Sequence, residues 1–172
     1  MATLVLTLIG DDRAGLVNAV ADVITSHGGN WERSQMAELG GKFAGIVMVT
    51  VPDGRRDELV ASLEPLQGLL DITVQLAPDT VDDRMTRRLE LEIMGTDRPG
   101  IVHEITEVLT AHAVNIELLD AATRDAPMAG GTIFEATAEL EVGETTDLDA
   151  LRDALEALAH ELMVEIELDD SL

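Results

Sequence analysis

Cysteine is absent from this 172-residue sequence, and large aromatic side chains are nearly absent. Without cysteine the chain has no disulfides, no thiolate metal ligands and no cysteine nucleophile. The aromatic residues are Trp31, Phe43 and Phe134, and Lys42 is the single lysine. Proteins that bind nucleic acids usually present basic stripes and stacking aromatics. The composition therefore argues against direct binding of DNA or RNA.

Basic side chains are also scarce, since 11 of them face 34 acidic ones, for a net charge of −23. Residues 1–80 hold 11 acidic and 5 basic side chains (−6), whereas residues 81–172 hold 23 and 6 (−17). Such a charge keeps a protein soluble and repels polyanions. Most of the negative charge therefore belongs to the second half of the chain.

Long apolar runs are missing as well, because none approaches the ~20 residues that a membrane-spanning helix needs. The first six residues, MATLVL, lack the basic start and the cleavage site of a signal peptide, and they alternate like a strand. We therefore expect a cytoplasmic protein that does not interact with membranes.

The sequence contains two copies of one unit. Residues 6–32 align with residues 91–117 at an offset of 85, with 11 identities in 27 positions. Residues 72–76 match residues 164–168 at an offset of 92, which assigns seven extra residues to the second copy, most simply in the Pro- and Gly-containing segment 124–131. The predicted organisation is two small domains with a linker: residues 1–77, 78–87 and 88–172.

Each copy has the periodicity of strand, helix, strand, strand, helix and strand. Leu89, Leu91 and Ile93 alternate with glutamates as in a half-buried strand, and Ile101 and Ile105 begin an amphipathic helical pattern. The second helix of copy one is expected to be shorter, with a kink near Pro65. The order predicts an α+β fold of two tandem ferredoxin-like (βαββαβ) domains, with antiparallel sheets and both helices on one face.

The other face of each predicted sheet is uncovered. A domain of about 80 residues has little core of its own. We therefore expect the two copies to pair within the chain, and a homodimer is the alternative.

The turn after the first strand is where the two copies agree best, as GDDRAGLV at residues 10–17 and GTDRPGIV at residues 95–102. Asp12 and Asp97 are predicted to cap the following helices, with Pro99 in the first helical turn. The glycines permit close approach of a ligand or of another backbone. A helix N-terminus suits a carboxylate. A cap and a tight turn explain the same residues without any ligand, so both interpretations stay open.

These motifs, DRPGIV at 97–102 with HAVNI at 112–116, and DRAGLV at 12–17 with HGGN at 27–30, resemble the ACT domain. The tandem arrangement is similar to the glycine cleavage system transcriptional repressor group, over nearly the whole chain. The resemblance implies regulatory modules that bind amino acids at the seam between paired domains. It implies ligand contacts from the loop glycine and from the asparagine that opens the second strand, here Gly15, Gly100, Asn30 and Asn115. Copy one departs from the family with Ala14 in place of the usual proline.

The expected ligand is a small amino acid, whose carboxylate would bind N–H groups at the helix start. An aspartate of the loop would accept its ammonium group, and Pro99 favours the second copy because it fixes that loop. Both copies carry aspartate where serine-sensing members often have asparagine. The candidate binding residues are Asp12, Arg13, Gly15, Leu16 and Asn30 in copy one, and Asp97, Arg98, Gly100, Ile101 and Asn115 in copy two.

No catalytic residue, metal site or cofactor is predicted. Glu104 and Glu107 are expected on a solvent face, and the four histidines in core or helix-capping positions. The predicted function is a non-enzymatic regulatory protein that binds a small amino acid, with glycine and serine as candidates. It would modulate a protein partner such as a transcription factor or a metabolic enzyme. The alternatives are a detached regulatory subunit of an amino-acid-metabolising enzyme and an adaptor with vestigial sites.

Overall fold

The structure is a computed structural model that describes residues 1–77, 86–126 and 130–170. The chain divides into two compact units, residues 1–81 (unit 1) and 82–172 (unit 2). Unit 1 contains β1 (Ala2–Asp11), α1 (Leu16–Ser26), β2 (Asn30–Leu39), β3 (Lys42–Val51), α2 (Arg56–Leu63) and β4 (Asp71–Leu76). Unit 2 contains β5 (Thr86–Thr96), α3 (Ile101–Ala111), β6 (Asn115–Asp125), β7 (Thr132–Gly143), α4 (Leu148–Leu162) and β8 (Val164–Asp170).

Each unit has a four-stranded antiparallel sheet, in the order β2-β3-β1-β4 in unit 1 and β6-β7-β5-β8 in unit 2. The two central strands of each sheet are the first and third strands of the unit. This is the ferredoxin-like arrangement, so the predicted α+β fold is confirmed for both copies.

Each unit has its own hydrophobic core on one face of its sheet. In unit 1, Leu4, Leu6 and Leu8 of β1 are buried with residues of α1 and α2. In unit 2, Leu89, Leu91 and Ile93 of β5 are buried with residues of α3 and α4. Alternate residues of a strand point to opposite faces, which is why the alternation in the sequence identified these positions.

The second helix differs between the units. In unit 1, α2 ends at Leu63 and continues as a 3-10 helix, Glu64–Gly68, with Pro65 in its first turn. Proline has no backbone N–H and cannot continue an α-helical hydrogen-bond ladder. In unit 2, α4 runs for 15 residues, and the Asp147 carboxylate caps it by accepting a bond from the Ala150 N–H at 3.0 Å.

Strand pairing corrects the sequence alignment of the two copies. Gly45 pairs with Leu8 and Ala136 with Ile93, so the offset has already grown from 85 to 91 at β7. Ile72 also pairs with Leu8 and Ile166 with Ile93, which makes the offset 94 at β8. The sequence-based offset of 92, with all extra residues in one hairpin, was therefore wrong. Some of the extra length lies between β7 and β8, where the unit carries the longer helix.

The predicted linker, residues 78–87, lies mostly outside the described residues. Its last two positions, Thr86 and Arg87, begin β5. The limits of the linker and of the two domains therefore stay predictions.

The sheet face opposite the helices differs in chemistry between the units. Outward positions of β1 are Thr3, Val5, Thr7 and Ile9, and the same positions of β5 are Arg88, Glu90, Glu92 and Met94. The outward face of β5 thus carries two glutamates where that of β1 carries none. Among the described residues, no helix has the length and apolar character needed to span a membrane.

Candidate functional site

The loops that follow the first strand of each unit have the same backbone conformation. We call residues 12–15 the β1–α1 loop and residues 97–100 the β5–α3 loop. Gly15 has φ 95° and ψ −4°, Gly100 has φ 95° and ψ −6°, and each is the residue that precedes its helix. Because L side chains are strained at such φ values, the turn itself requires these two glycines. Their presence alone is therefore no sign of a ligand.

The prediction that Asp12 and Asp97 cap the helices was wrong. The N-cap residues are Gly15 and Gly100, and no side chain makes a capping hydrogen bond there. The backbone N–H of Asp12 instead donates to the Gly41 carbonyl at 2.9 Å, and that of Asp97 to the Thr132 carbonyl at 2.8 Å. These bonds tie each loop to the neighbouring strand turn and leave both carboxylates exposed.

Pro99 lies before the N-cap and not in the first helical turn, which also corrects the expectation. Its counterpart Ala14 precedes a cap of the same conformation. Pro99 therefore restricts the conformations of the unfolded chain more than it changes the conformation of the folded loop. It gives no geometric reason to prefer the second copy as a binding site.

Both helices present N–H groups that the helix itself leaves unpaired. The first bonds within the helices run from Ala19 N–H to the Gly15 carbonyl at 2.9 Å, and from Glu104 N–H to the Gly100 carbonyl at 3.0 Å. The N–H groups before them have no partner within the helix, and their dipoles favour an anion at this end. Leu16 and Ile101, both predicted as site residues, are the first residues of these helices.

The two loop arginines have different environments. In unit 2, Nη2 of Arg98 donates to both carboxylate oxygens of Glu104, at 2.7 and 2.6 Å. The Glu104 side chain is 34% exposed and that of Glu107 is 67% exposed, so both reach the surface as expected, but Glu104 is held by Arg98. In unit 1 the position of Glu104 is occupied by Ala19. Arg13 is exposed and has no hydrogen bond or ion pair with any part of the chain that the structure describes.

An open depression of about 530 Å³ lies beside the β1–α1 loop. It brings together the four predicted residues of copy one that belong to the loop and the helix start. It adds four that the sequence interpretation missed. The lining residues are Asp12, Arg13, Gly15, Leu16, Val17, Asn18, Ala21 and Phe43.

An exposed ion pair lies at the end of β1 beside this loop. The Lys42 ammonium donates to the Asp11 carboxylate across the β1–β3 pair. This hydrogen bond, with the charge of Lys42, lowers the pKa of Asp11. The charge of Arg13 also lowers the pKa of Asp11, so Asp11 has both Lys42 and Arg13 as charged neighbours.

Asn30 does not lie near the loop of its own unit. It pairs with Thr50, which pairs with Thr3, and Asp11 is eight positions further along β1, about 26 Å at ~3.3 Å per residue. Asn30 Nδ2 donates to the Glu32 carboxylate at 2.9 Å. Asn115 has the corresponding position at the start of β6. Within one unit, the structure therefore separates the asparagine from the other predicted site residues.

Glu32 is held at a bulge of β2 next to Asn30. Hydrogen bonds from Thr50 and from Asn30 lower the pKa of Glu32. A lowered pKa means that this carboxylate favours the folded state above its ordinary pKa, and that the contribution is lost as the pH falls. The amide of Asn30 is thus already engaged at neutral pH.

The best-defined histidine contacts are structural. His27 ends α1, with Nδ1 2.7 Å from the Val23 carbonyl oxygen and Nε2 3.1 Å from Oγ of Ser62 in α2. It therefore links the two helices of unit 1. In the ranges that the structure describes, no group of three or more His, Asp or Glu side chains is placed to hold a metal ion.

Comparison with known proteins gives matches over both units. ACT domain models match residues 2–77 and 84–160. The glycine cleavage system transcriptional repressors of Escherichia coli (strain K12) and Shigella flexneri are each 30% identical over 154 residues, which cover 88% of this chain and 77% of theirs. A crystal structure of an unknown protein from Galdieria sulphuraria superposes with a TM-score of 0.89 at 30% identity, and the match covers 99% of both chains.

Proposed function

The chain belongs to the ACT domain family, as a tandem ACT-domain relative of glycine cleavage system transcriptional repressors, and from this premise we propose that it is a non-enzymatic, amino-acid-sensing regulator. The ligand is a small amino acid, and glycine and serine are the first candidates. Ligand binding changes the affinity of the chain for a protein partner, either a transcription factor or a metabolic enzyme.

The observation that carries this proposal is the arrangement of charges at the β1–α1 loop. An uncapped helix N-terminus and the guanidinium of Arg13, which forms no ion pair with the described residues, suit a carboxylate. The exposed carboxylate of Asp12 lines the same depression and suits an ammonium group. Opposite charges at one small site match the two ends of an amino acid zwitterion.

Action through a protein partner follows from the charge of the chain. Contacts with DNA phosphates come from Lys and Arg, and this chain has 11 of them against 34 acidic residues. A regulator of transcription with this composition would act on a DNA-binding protein and not on the DNA itself.

The asparagines enter the proposal as ligand contacts supplied by another ACT domain. Asn30 is far from the loop of its own unit, so its amide can only reach a ligand bound at the loop of a different domain. To do so it would exchange its bond with Glu32 for bonds to the ligand. Replacement of Asn30 or Asn115 by alanine should then weaken binding without altering the loop.

We expect at least one amino acid, with glycine and serine tested first, to raise the melting temperature of the protein. A ligand at 100 times its Kd adds about 2.7 kcal/mol to the stability of the folded state. Asp12→Asn should weaken binding about tenfold, because one partner of the ammonium group loses its charge. Thermal shift and titration calorimetry against the common amino acids measure both effects.

The matched control is Asp57→Asn, which removes the same charge from an exposed position at the other end of unit 1, in the first turn of α2. It should bind like the wild type. If no amino acid at millimolar concentration shifts the melting temperature, the sensor proposal is wrong, and an adaptor with vestigial sites is favoured. Identification of the proteins that co-purify with the chain distinguishes a transcription factor from a metabolic enzyme as its partner.

A further inference from the structure

The β1–α1 and β5–α3 loops have the same backbone conformation, but their arginines have different partners. We propose that Glu104 is a built-in carboxylate partner of the loop arginine Arg98 in unit 2, and that the β1–α1 loop of unit 1, which lacks such a partner, is therefore the site that takes a free carboxylate ligand. Each chain then binds one such ligand at these loops and not two. This inference rests on the proposed function and deepens it, because it states which site responds.

The Glu104 carboxylate binds the arginine that the proposed ligand carboxylate would use in unit 2. It is the fourth residue of α3, and side chains of a helix lean towards its N-terminus. Both of its oxygens accept from Arg98, and Oε1 is 3.5 Å from the position that a Cβ on Gly100 would take. The carboxylate thus lies beside the N-cap residue, near the positive end of the helix dipole.

The β1–α1 loop of unit 1 has the same backbone conformation but lacks a side chain equivalent to that of Glu104. Ala19 replaces Glu104, and the guanidinium of Arg13 makes no ion pair with the described residues. A depression opens at this place, and Arg13 lines it together with Gly15 and Leu16. The contact in unit 2 shows that an arginine of this loop donates to a carboxylate. Unit 1 therefore has a loop arginine that forms no ion pair with the described residues, and its carboxylate neighbour Asp11 is already paired with Lys42.

Competition favours unit 1 for a free ligand. A carboxylate tethered to the same helix has an effective concentration on the order of millimolar or more, which a free ligand in unit 2 must overcome. Displaced from Arg98, Glu104 would also stay near the ligand as a like charge. For acetate, which carries a net negative charge, the overall charge acts in the same direction, since residues 1–80 carry −6 and residues 81–172 carry −17.

Exchange of the two residues tests this inference, with glycine, L-serine and acetate as the titrated probes in calorimetry on the full chain. The wild type should bind the best of these probes with one site per chain. Ala19→Glu should lower its affinity at least tenfold, because the new carboxylate can pair with Arg13 as Glu104 pairs with Arg98. Glu104→Ala should raise the number of sites to two, and the double variant should bind one ligand again.

Arg13→Ala provides a second variant, since removal of an exposed side chain leaves the fold intact. It should weaken binding about tenfold, whereas Arg33→Ala, which removes an exposed arginine of β2, should bind like the wild type. Circular dichroism confirms the fold of each variant.

The outcomes separate the two ideas. A wild type that binds two ligands, an Ala19→Glu variant that binds normally, or a Glu104→Ala variant that still binds one ligand would overturn the inference and leave the sensor proposal standing. Failure of every variant, the wild type included, to bind any common amino acid would overturn both.

Discussion

Replacement of Leu6 by alanine is expected to lower the free energy of unfolding of unit 1 by about 2–5 kcal/mol. Leu6 is 0% exposed and lies in β1, between β3 and β4, at the centre of the core of this unit. The loss combines the transfer free energy of the removed carbons with the cavity that they leave. Strands on both sides hold the backbone in place, so the cavity cannot close easily.

Trp31 makes this result measurable, because it is the single tryptophan of the chain and packs on the same core. Its fluorescence during urea unfolding follows unit 1. The control is Leu39→Ala, at a side chain that is 83% exposed, which should change stability by less than about 0.5 kcal/mol. Equal shifts of the urea midpoint in the two variants would contradict the described core.

Replacement of Gly95 by alanine is expected to destabilise unit 2 by about 1–3 kcal/mol. A Cβ at this position would lie 2.4 Å from Cγ1 and 2.9 Å from Cα of Val164. Val164 is the residue of β8 that pairs with Gly95, so its backbone cannot withdraw without a break in the β5–β8 ladder. The Val164 side chain alone cannot relieve the overlap, because its Cβ and Cα are also too close.

Far-UV circular dichroism in thermal or urea unfolding measures this effect. Gly143→Ala is the matched control in the same unit, because the nearest atom to its Cβ would be Oγ1 of Thr146 at 3.8 Å. We expect that control to stay close to the wild type. A Gly95→Ala protein as stable as the Gly143→Ala protein would show that β8 is not packed on β5 as described.

The crowding at Gly95 also explains one of the repeated glycines. Its counterpart Gly10 has the Leu69 carbonyl oxygen 2.4 Å from the position of a Cβ. Both units therefore bring a neighbouring segment against the end of the first strand. The sequence allowed either a ligand or another backbone at this glycine. The structure places the protein's own backbone there, and the ligand proposal rests on the loop that follows.

The sequence by itself determined the element order and the fold class. The twofold alternation of Leu89, Leu91 and Ile93 and the helical spacing that begins at Ile101 are local properties, which a chain shows before it folds. The repeat strengthened this prediction, because the same pattern occurred twice at an offset of 85. The motif DRPGIV also located the loop at which the binding proposal stands.

Only the tertiary structure decided how the residues of that loop are used. Gly100 and not Asp97 is the cap, because the chain enters the helix at φ 95°, an angle that no spacing of residues reveals. The offset of 94 at β8 follows from hydrogen bonds between strands that are far apart in sequence. In the sequence, Glu104 has the position of a solvated glutamate of an amphipathic helix. In the structure, Arg98 of the preceding loop holds its carboxylate. Helix caps, strand register and ion pairs of this kind depend on which atoms folding brings together, and local sequence patterns do not predict those contacts.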